Sequence, residues 1–149
     1  MDENETSRLD SILENADLDD FDAFIARADK EGYGSLSEYL NVYIAKHELV
    51  LSDIVRKSQL SRDYAYAIFN GHKASPTRDR VIAICIAMGM NLQETQRALK
   101  ICNAGVLYSK NDRDAAVIIC INREIYDIDK VNEFLYNHSM DVLKTSKDV

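Results

Sequence analysis

The side chains of this chain that could do chemistry are mainly basic or hydrogen-bonding, and they gather between positions 56 and 73. Guanidinium and ammonium groups bind phosphate oxygens, and an arginine can also donate two parallel hydrogen bonds to O6 and N7 of guanine. Hydroxyl, carboxylate and imidazole groups add further contacts. The candidate residues are Arg56, Lys57, Ser61, Arg62, Asp63, Tyr66, His72 and Lys73. As a group they suit the binding of a polyanion.

Catalytic and metal-binding patterns are missing from the sequence. The three histidines, His47, His72 and His138, are far apart, and none belongs to a nucleophile or metal motif. There is no phosphate-binding loop, dinucleotide fingerprint or nucleophile elbow. For His72, a phosphate contact and an ordinary solvated loop position both fit the sequence. We expect a protein that is not an enzyme and needs no cofactor or metal.

The cysteines and the hydropathy pattern indicate a cellular compartment. Cys85, Cys102 and Cys120 have no C-x-x-C spacing and lie within apolar helical runs, so we expect free, buried thiols, as in a reducing cytoplasm. The N-terminus lacks the basic and apolar regions of a signal peptide. The longest apolar run, 81–88, is too short to span a bilayer. These features predict a cytoplasmic protein without a membrane segment.

Charge is divided unevenly along the chain. The net charge is −7, and residues 1–39 hold twelve acidic against three basic residues. Residues 40–105 hold nine basic against five acidic residues, and residues 106–149 hold six basic against eight acidic ones. Only the middle segment is basic, which is where phosphate contacts would be needed. A short basic segment could equally be a solvated face.

Residues 49–77 have the layout of two short helices joined by a tight turn. Apolar residues recur at intervals of three and four, which predicts two helices that each bury one face. Ser61 is a good N-cap for the second helix, and Asn70-Gly71 would end it. Pro76 then prevents the helix from continuing, and Thr77 can cap the next one.

This stretch resembles the helix-turn-helix of the phage Cro/repressor family, also called the xenobiotic-response-element (XRE) family. The alignment has no gaps, and its matching positions are Leu49, Ser52, Asp53, Ile54, Lys57, Leu60, Ser61, Arg62, Ile68, Asn70, Gly71 and Pro76. The following residues, 80–92, resemble the fourth helix of the family, so the resemblance covers roughly Leu40 to Cys102. It implies an all-α, five-helix Cro/repressor-like DNA-binding domain, acting as a homodimeric transcriptional regulator.

The resemblance also implies how the candidate residues would meet double-stranded DNA. Residues 61–70 would be the recognition helix, with their N-terminal part nearest the bases in the major groove. Arg62 is the best candidate for a guanine edge; Asp63 could accept from a cytosine amino group or cap the helix; Tyr66 could reach a base or a phosphate. Phosphates would be held by Arg56, Lys57, His72 and Lys73.

Five positions depart from the pattern of the family. Val50 and Leu51 stand where the family has Thr or Ser followed by Gln, so neither side chain can hydrogen-bond a phosphate. Gln59 replaces the turn glycine, which costs conformational energy. Ala67 and Phe69 replace residues that are often charged. Leu51 and Ala67, together with the strongly acidic N-terminal helices, favour an alternative function, in which the helix-turn-helix is the scaffold of a protein–protein adaptor or signalling partner without strong DNA binding.

Two extensions flank the helix-turn-helix domain, which we assign to residues 35–105. Residues 1–34 form an acidic extension with helical patterns at 7–15 and 17–30. Packing on the domain, docking on a basic protein partner and covering the basic face of the domain itself all fit this extension. Residues 106–149 form a C-terminal helical extension packed on the same domain.

The C-terminal extension repeats the helix pair that precedes it. A shift of 35 places Arg78-Asp79 on Arg113-Asp114. A shift of 36 places the apolar residues of the next helix on those of 128–135. We therefore predict helices at 112–122 and 127–138, stacked like the pair before them, although two apolar helices can also look alike by chance.

Overall fold

The computed structural model describes residues 34–146, which form seven α-helices and no strands. The prediction of an all-helical chain is confirmed for this part. The helices predicted at 7–15 and 17–30 lie outside the described residues. The helices are α1 (Leu36–Lys46), α2 (Leu51–Ser58), α3 (Arg62–Phe69), α4 (Arg78–Met88), α5 (Leu92–Ile101), α6 (Asp112–Asn122) and α7 (Ile128–Asn137).

Polar residues before the helices fix where they begin. The Ser35 hydroxyl accepts from the Glu38 N–H at the start of α1. Asn91 and Glu94 form a reciprocal capping box at the start of α5, which satisfies two backbone donors. Thr77 occupies the N-cap position of α4 as predicted, but its side chain makes no capping hydrogen bond.

Helix α4 is the central helix of the core. Its apolar run is buried almost throughout, as the sequence predicted. Helix α2 packs along α4, and α1 packs against α3 and α5. The thiols of Cys85, Cys102 and Cys120 are free and buried, as predicted, and burial raises the pKa of each. No described helix is both long and apolar enough to cross a membrane.

The predicted repeat is present in the structure. The pairs α4–α5 and α6–α7 each pack as two neighbouring helices, and α4 contacts α7 while α5 contacts α6. Equivalent core positions are buried in both pairs, including Cys85 and Cys120 in the first helices and Leu99 and Leu135 in the second helices.

Two crossed ion pairs tie the repeats together. Arg78 of α4 pairs with Asp114 of α6 through two hydrogen bonds of 2.7 Å. Arg113 of α6 pairs with Asp79 of α4 through hydrogen bonds of 3.0 and 2.9 Å. Each repeat therefore supplies the arginine of one pair and the carboxylate of the other. We call these four residues the crossed tetrad.

The four side chains of the crossed tetrad also hydrogen-bond the backbone of the loops that follow α5 and α7. Arg78 donates to the carbonyls of Gly105 and Val106, after α5, and Arg113 donates to the carbonyls of residues 141 and 142, after α7. The carboxylate of Asp114 accepts from the N–H of Tyr108, and that of Asp79 from the N–H of residue 144. The loops after α5 and α7 are thus held in the same way.

The crossed tetrad keeps both carboxylates ionised. The hydrogen bonds from Arg78 hold the pKa of Asp114 below its usual value, against the effect of burial. Burial is the strongest single influence on Asp79 and raises its pKa, but the bonds from Arg113 and a backbone N–H together outweigh it, so this pKa is also lowered.

Candidate nucleic-acid interface

A tight turn sets the position of α3 against α2. Gln59 adopts the left-handed conformation at φ 60°, as the replacement of the turn glycine predicted. The fully buried Ser58 hydroxyl donates to the carbonyl of Val55 and accepts from the N–H of Leu60. This side chain therefore takes over hydrogen bonds that the turn backbone would otherwise lack.

The N-terminus of α3 is capped by Ser61, whose hydroxyl accepts from the N–H of Tyr64 at 3.3 Å. Asp63 is therefore not the cap; it is exposed in the first turn, where its charge suits the helix dipole. Arg62 is also exposed. The first turn of α3 thus presents one cation and one carboxylate to the solvent.

One side of α3 forms a groove with α2, which we call the α2–α3 groove. Arg62 and Tyr66 lie one turn apart, and the guanidinium carbon is 5.6 Å from the centre of the Tyr66 ring. Arg56 of α2 also lines the groove and makes an exposed ion pair with Asp53 at 3.2 Å. The groove has a volume of about 360 Å³ and is lined by Ser52, Val55, Arg56, Leu60, Arg62 and Tyr66. It therefore brings three of the predicted site residues together.

The other side of α3 carries a second basic group that the sequence only partly indicated. The Tyr64 ring is close to two cations: the Arg80 guanidinium carbon is 4.4 Å and the Lys73 ammonium nitrogen is 5.7 Å from the ring centre. Sequence reasoning found Lys73 but missed Tyr64 and Arg80. Arg80 belongs to α4, and no local sequence pattern shows that its side chain reaches back to α3.

The remaining predicted residues lie at the edges of this surface. His72 is exposed in the loop after α3, and its backbone N–H donates to the side chain of Asn70. Lys57 is exposed near the end of α2, on the helix that also carries Arg56. The structure therefore divides the predicted residues between the α2–α3 groove, the Tyr64 side and two flanking positions.

The second repeat comes close to the turn. The Gln59 side-chain amide donates to the carboxylate of Asp129, in the first turn of α7, at 2.8 Å. A cleft of about 590 Å³ separates the start of α3 from the tail after α7, with Arg80, Thr145 and Ser146 in its wall. The C-terminal helix pair therefore borders the candidate interface.

The start of α2 is apolar, as its departure from the family pattern predicted. Val50 occupies the N-cap position with 57% of its surface exposed and makes no side-chain capping bond.

Within residues 34–146, no group of three histidine, cysteine or acidic residues is arranged to hold a metal ion. No known protein family, curated protein or solved structure matches this chain.

Proposed function

We propose that this protein is a sequence-specific DNA-binding transcriptional regulator with a Cro/repressor-like helix-turn-helix, acting in the cytoplasm, in which α3 is the recognition helix. The observation that carries this proposal is the α2–α3 groove. Arg62 is exposed in the first turn of α3, next to Tyr66, and shares the groove with Arg56 of α2. An exposed arginine at the start of a short helix is suited to reach a base edge in the major groove.

In this proposal the two sides of α3 have different tasks. Arg62 donates bidentately to a guanine, and the neighbouring Tyr66 ring restricts the guanidinium before DNA arrives. Arg56 and Lys57 contact phosphates from the α2 side, and Lys73 and Arg80 contact phosphates from the Tyr64 side. Cations on both sides of the helix would orient it in the groove without reading the sequence.

A selection from random duplexes at low salt tests the proposal. We expect the full-length chain to enrich one sequence and its affinity to fall steeply with added salt, because phosphate contacts release counterions. Arg62→Ala should reduce discrimination against the wrong base by about 1–3 kcal/mol. Enrichment of no sequence, together with binding that ignores salt, would overturn the proposal.

A lysine pair separates phosphate contacts from general charge. Lys73→Ala should weaken binding to all sequences about equally, because a phosphate contact carries no base information. Lys110→Ala is the matched control, since Lys110 is an exposed lysine in the loop before α6. Equal losses from the two variants would mean that only net charge matters.

The adaptor alternative is favoured by one observation, the exposed Val50 at the start of α2. A phosphate-binding helix start would carry a hydrogen-bonding side chain here. If α2 meets DNA, Val50→Ser should strengthen DNA binding. If instead α2 meets a protein, the variant should leave DNA binding absent, and the exposed valine would be part of a protein contact.

A further inference from the structure

One apolar residue of the second repeat is exposed where its equivalent in the first repeat is buried. Ile84 of α4 is 1% exposed, and Ile119, 35 positions later in α6, is 44% exposed. Helix α2 packs along α4, whereas the main contacts of α6 are with α5 and α7. Among the helices of residues 34–146, the second repeat therefore lacks a neighbour that the first repeat has.

The exposed side of α6 is a continuous stripe. Asp112, Ala115, Ile119 and Arg123 follow one another at intervals of three or four, which places them on one face of the helix. Ala115 is half-buried and the other three are exposed. We call these four residues the α6 face. The small side chain of Ala115 would let a second helix approach closely.

The charges at the two ends of the α6 face are opposite. Neither Asp112 nor Arg123 makes an ion pair with any of residues 34–146, in contrast to the neighbouring Arg113 and Asp114. They are eleven residues apart, roughly 16 Å along a helix. An α6 face from another molecule, running antiparallel, would place each Asp112 beside the Arg123 of the other copy.

We propose that the α6 face is the dimer interface of this protein and that its occupant is the α6 face of a second copy. The interface is isologous, as in most soluble dimers: two Asp112–Arg123 pairs flank a centre in which each Ile119 packs on Ala115 of the other copy. This interface does not depend on DNA binding. In a DNA-binding protein it would set the separation of two recognition helices.

Sedimentation equilibrium of the full-length chain tests the interface. We expect a dimer whose dissociation constant rises at least about a hundredfold in Ile119→Asp, because both copies lose an apolar contact. Val106→Asp is the matched control, since Val106 is also β-branched, is 47% exposed and lies in the loop after α5, outside the α6 face; it should leave the dimer unchanged. Circular dichroism of each variant checks that the helices are retained.

A charge exchange tests the antiparallel arrangement, even if Ile119→Asp does not fold. Asp112→Arg alone and Arg123→Asp alone should each be mainly monomeric, because like charges then face each other at both ends. An equimolar mixture of these two variants should form heterodimers, because both opposite-charge pairs are restored. A monomeric full-length chain, a dimer unaffected by Ile119→Asp, or a mixture without heterodimers would each overturn the proposal.

Discussion

The helix pairs α4–α5 and α6–α7 are two versions of one unit that differ in what surrounds them. Both bury most of the same core positions and bind their following loops through the arginine of the crossed tetrad. The first pair is covered by α2, which belongs to the candidate interface, and by α1. The second pair has no equivalent cover among the described helices, and Ile119 is exposed. The comparison shows that the internal contacts of the unit do not require the cover.

The two helix pairs also differ in how they contact the candidate interface. The first pair supports the α2–α3 groove, because α2 packs directly on α4. The second pair touches this part of the molecule mainly at its rim, through the hydrogen bond between Gln59 and Asp129. Within residues 34–146, Ile119 of the second pair is exposed, and a contact there would leave the support of α3 unchanged.

The largest expected effect comes from removing one carboxylate of the crossed tetrad. Asp114→Ala should lower the free energy of unfolding by about 3–5 kcal/mol, because it leaves the Arg78 guanidinium and a backbone N–H without their acceptor. Asp79→Ala should cost less, about 1.5–3 kcal/mol, since the Asp79 side chain is 17% exposed against 8% for Asp114. Urea unfolding of both variants measures which of them loses more unfolding free energy. Equal costs would mean that burial does not distinguish the two pairs.

The second prediction concerns the two equivalent isoleucines. Ile84→Ala should lower the free energy of unfolding by about 2–5 kcal/mol, because it opens a cavity in the core. Ile119→Ala should change it by less than about 1 kcal/mol when measured at concentrations where the chain is monomeric. A large loss for Ile119→Ala under those conditions would show that another part of the same chain covers this residue.

Much of the helical fold could be predicted from the sequence, because its signals are local. The N-caps Ser35, Ser61 and Asn91 and the apolar run of α4 placed the helices to within about two residues. The repeat was also visible, since Arg78-Asp79 aligns with Arg113-Asp114. The crossing of these pairs was not predictable, because a sequence shift cannot tell whether each arginine pairs within its own repeat or with the other.

The candidate interface was predictable only in part, for the same reason. Arg62 and Tyr66 are one helical turn apart, so their proximity follows from spacing. Arg80 lies on a different helix from Tyr64, and their contact depends on how α4 packs against the turn. The exposure of Ile119 likewise depends on which helix covers which, and the sequence does not show this.

Acid should destabilise the protein by protonating the two carboxylates of the crossed tetrad. The folded-state pKa values of Asp79 and Asp114 lie below their ordinary values, so both groups add stability that is fully present above about pH 4. This stability is lost as the pH falls through the lowered pKa values. Asp114→Ala should therefore flatten the fall in unfolding free energy below pH 4, measured by urea unfolding at a series of pH values. An unchanged slope would mean that other carboxylates carry the acid sensitivity.

The smallest expected effect distinguishes the turns that follow the first helix of each repeat. Gly89 after α4 and Glu124 after α6 both have positive φ, at 73° and 59°. A side chain at such a position costs about 1–2 kcal/mol, so Gly89→Ala should destabilise by about this amount. A Cβ atom at Gly89 would come no nearer than 4.0 Å to the Tyr126 ring, so backbone conformation and not collision sets this cost.

Glu124→Gly should stabilise the protein by about 0.5–1 kcal/mol, since the relief of strain exceeds the greater flexibility of glycine in the unfolded chain. Thermal unfolding of the two variants measures whether each one is destabilised or stabilised. A destabilised Glu124→Gly variant would mean that the Glu124 side chain makes a contribution in the folded state that outweighs its backbone strain.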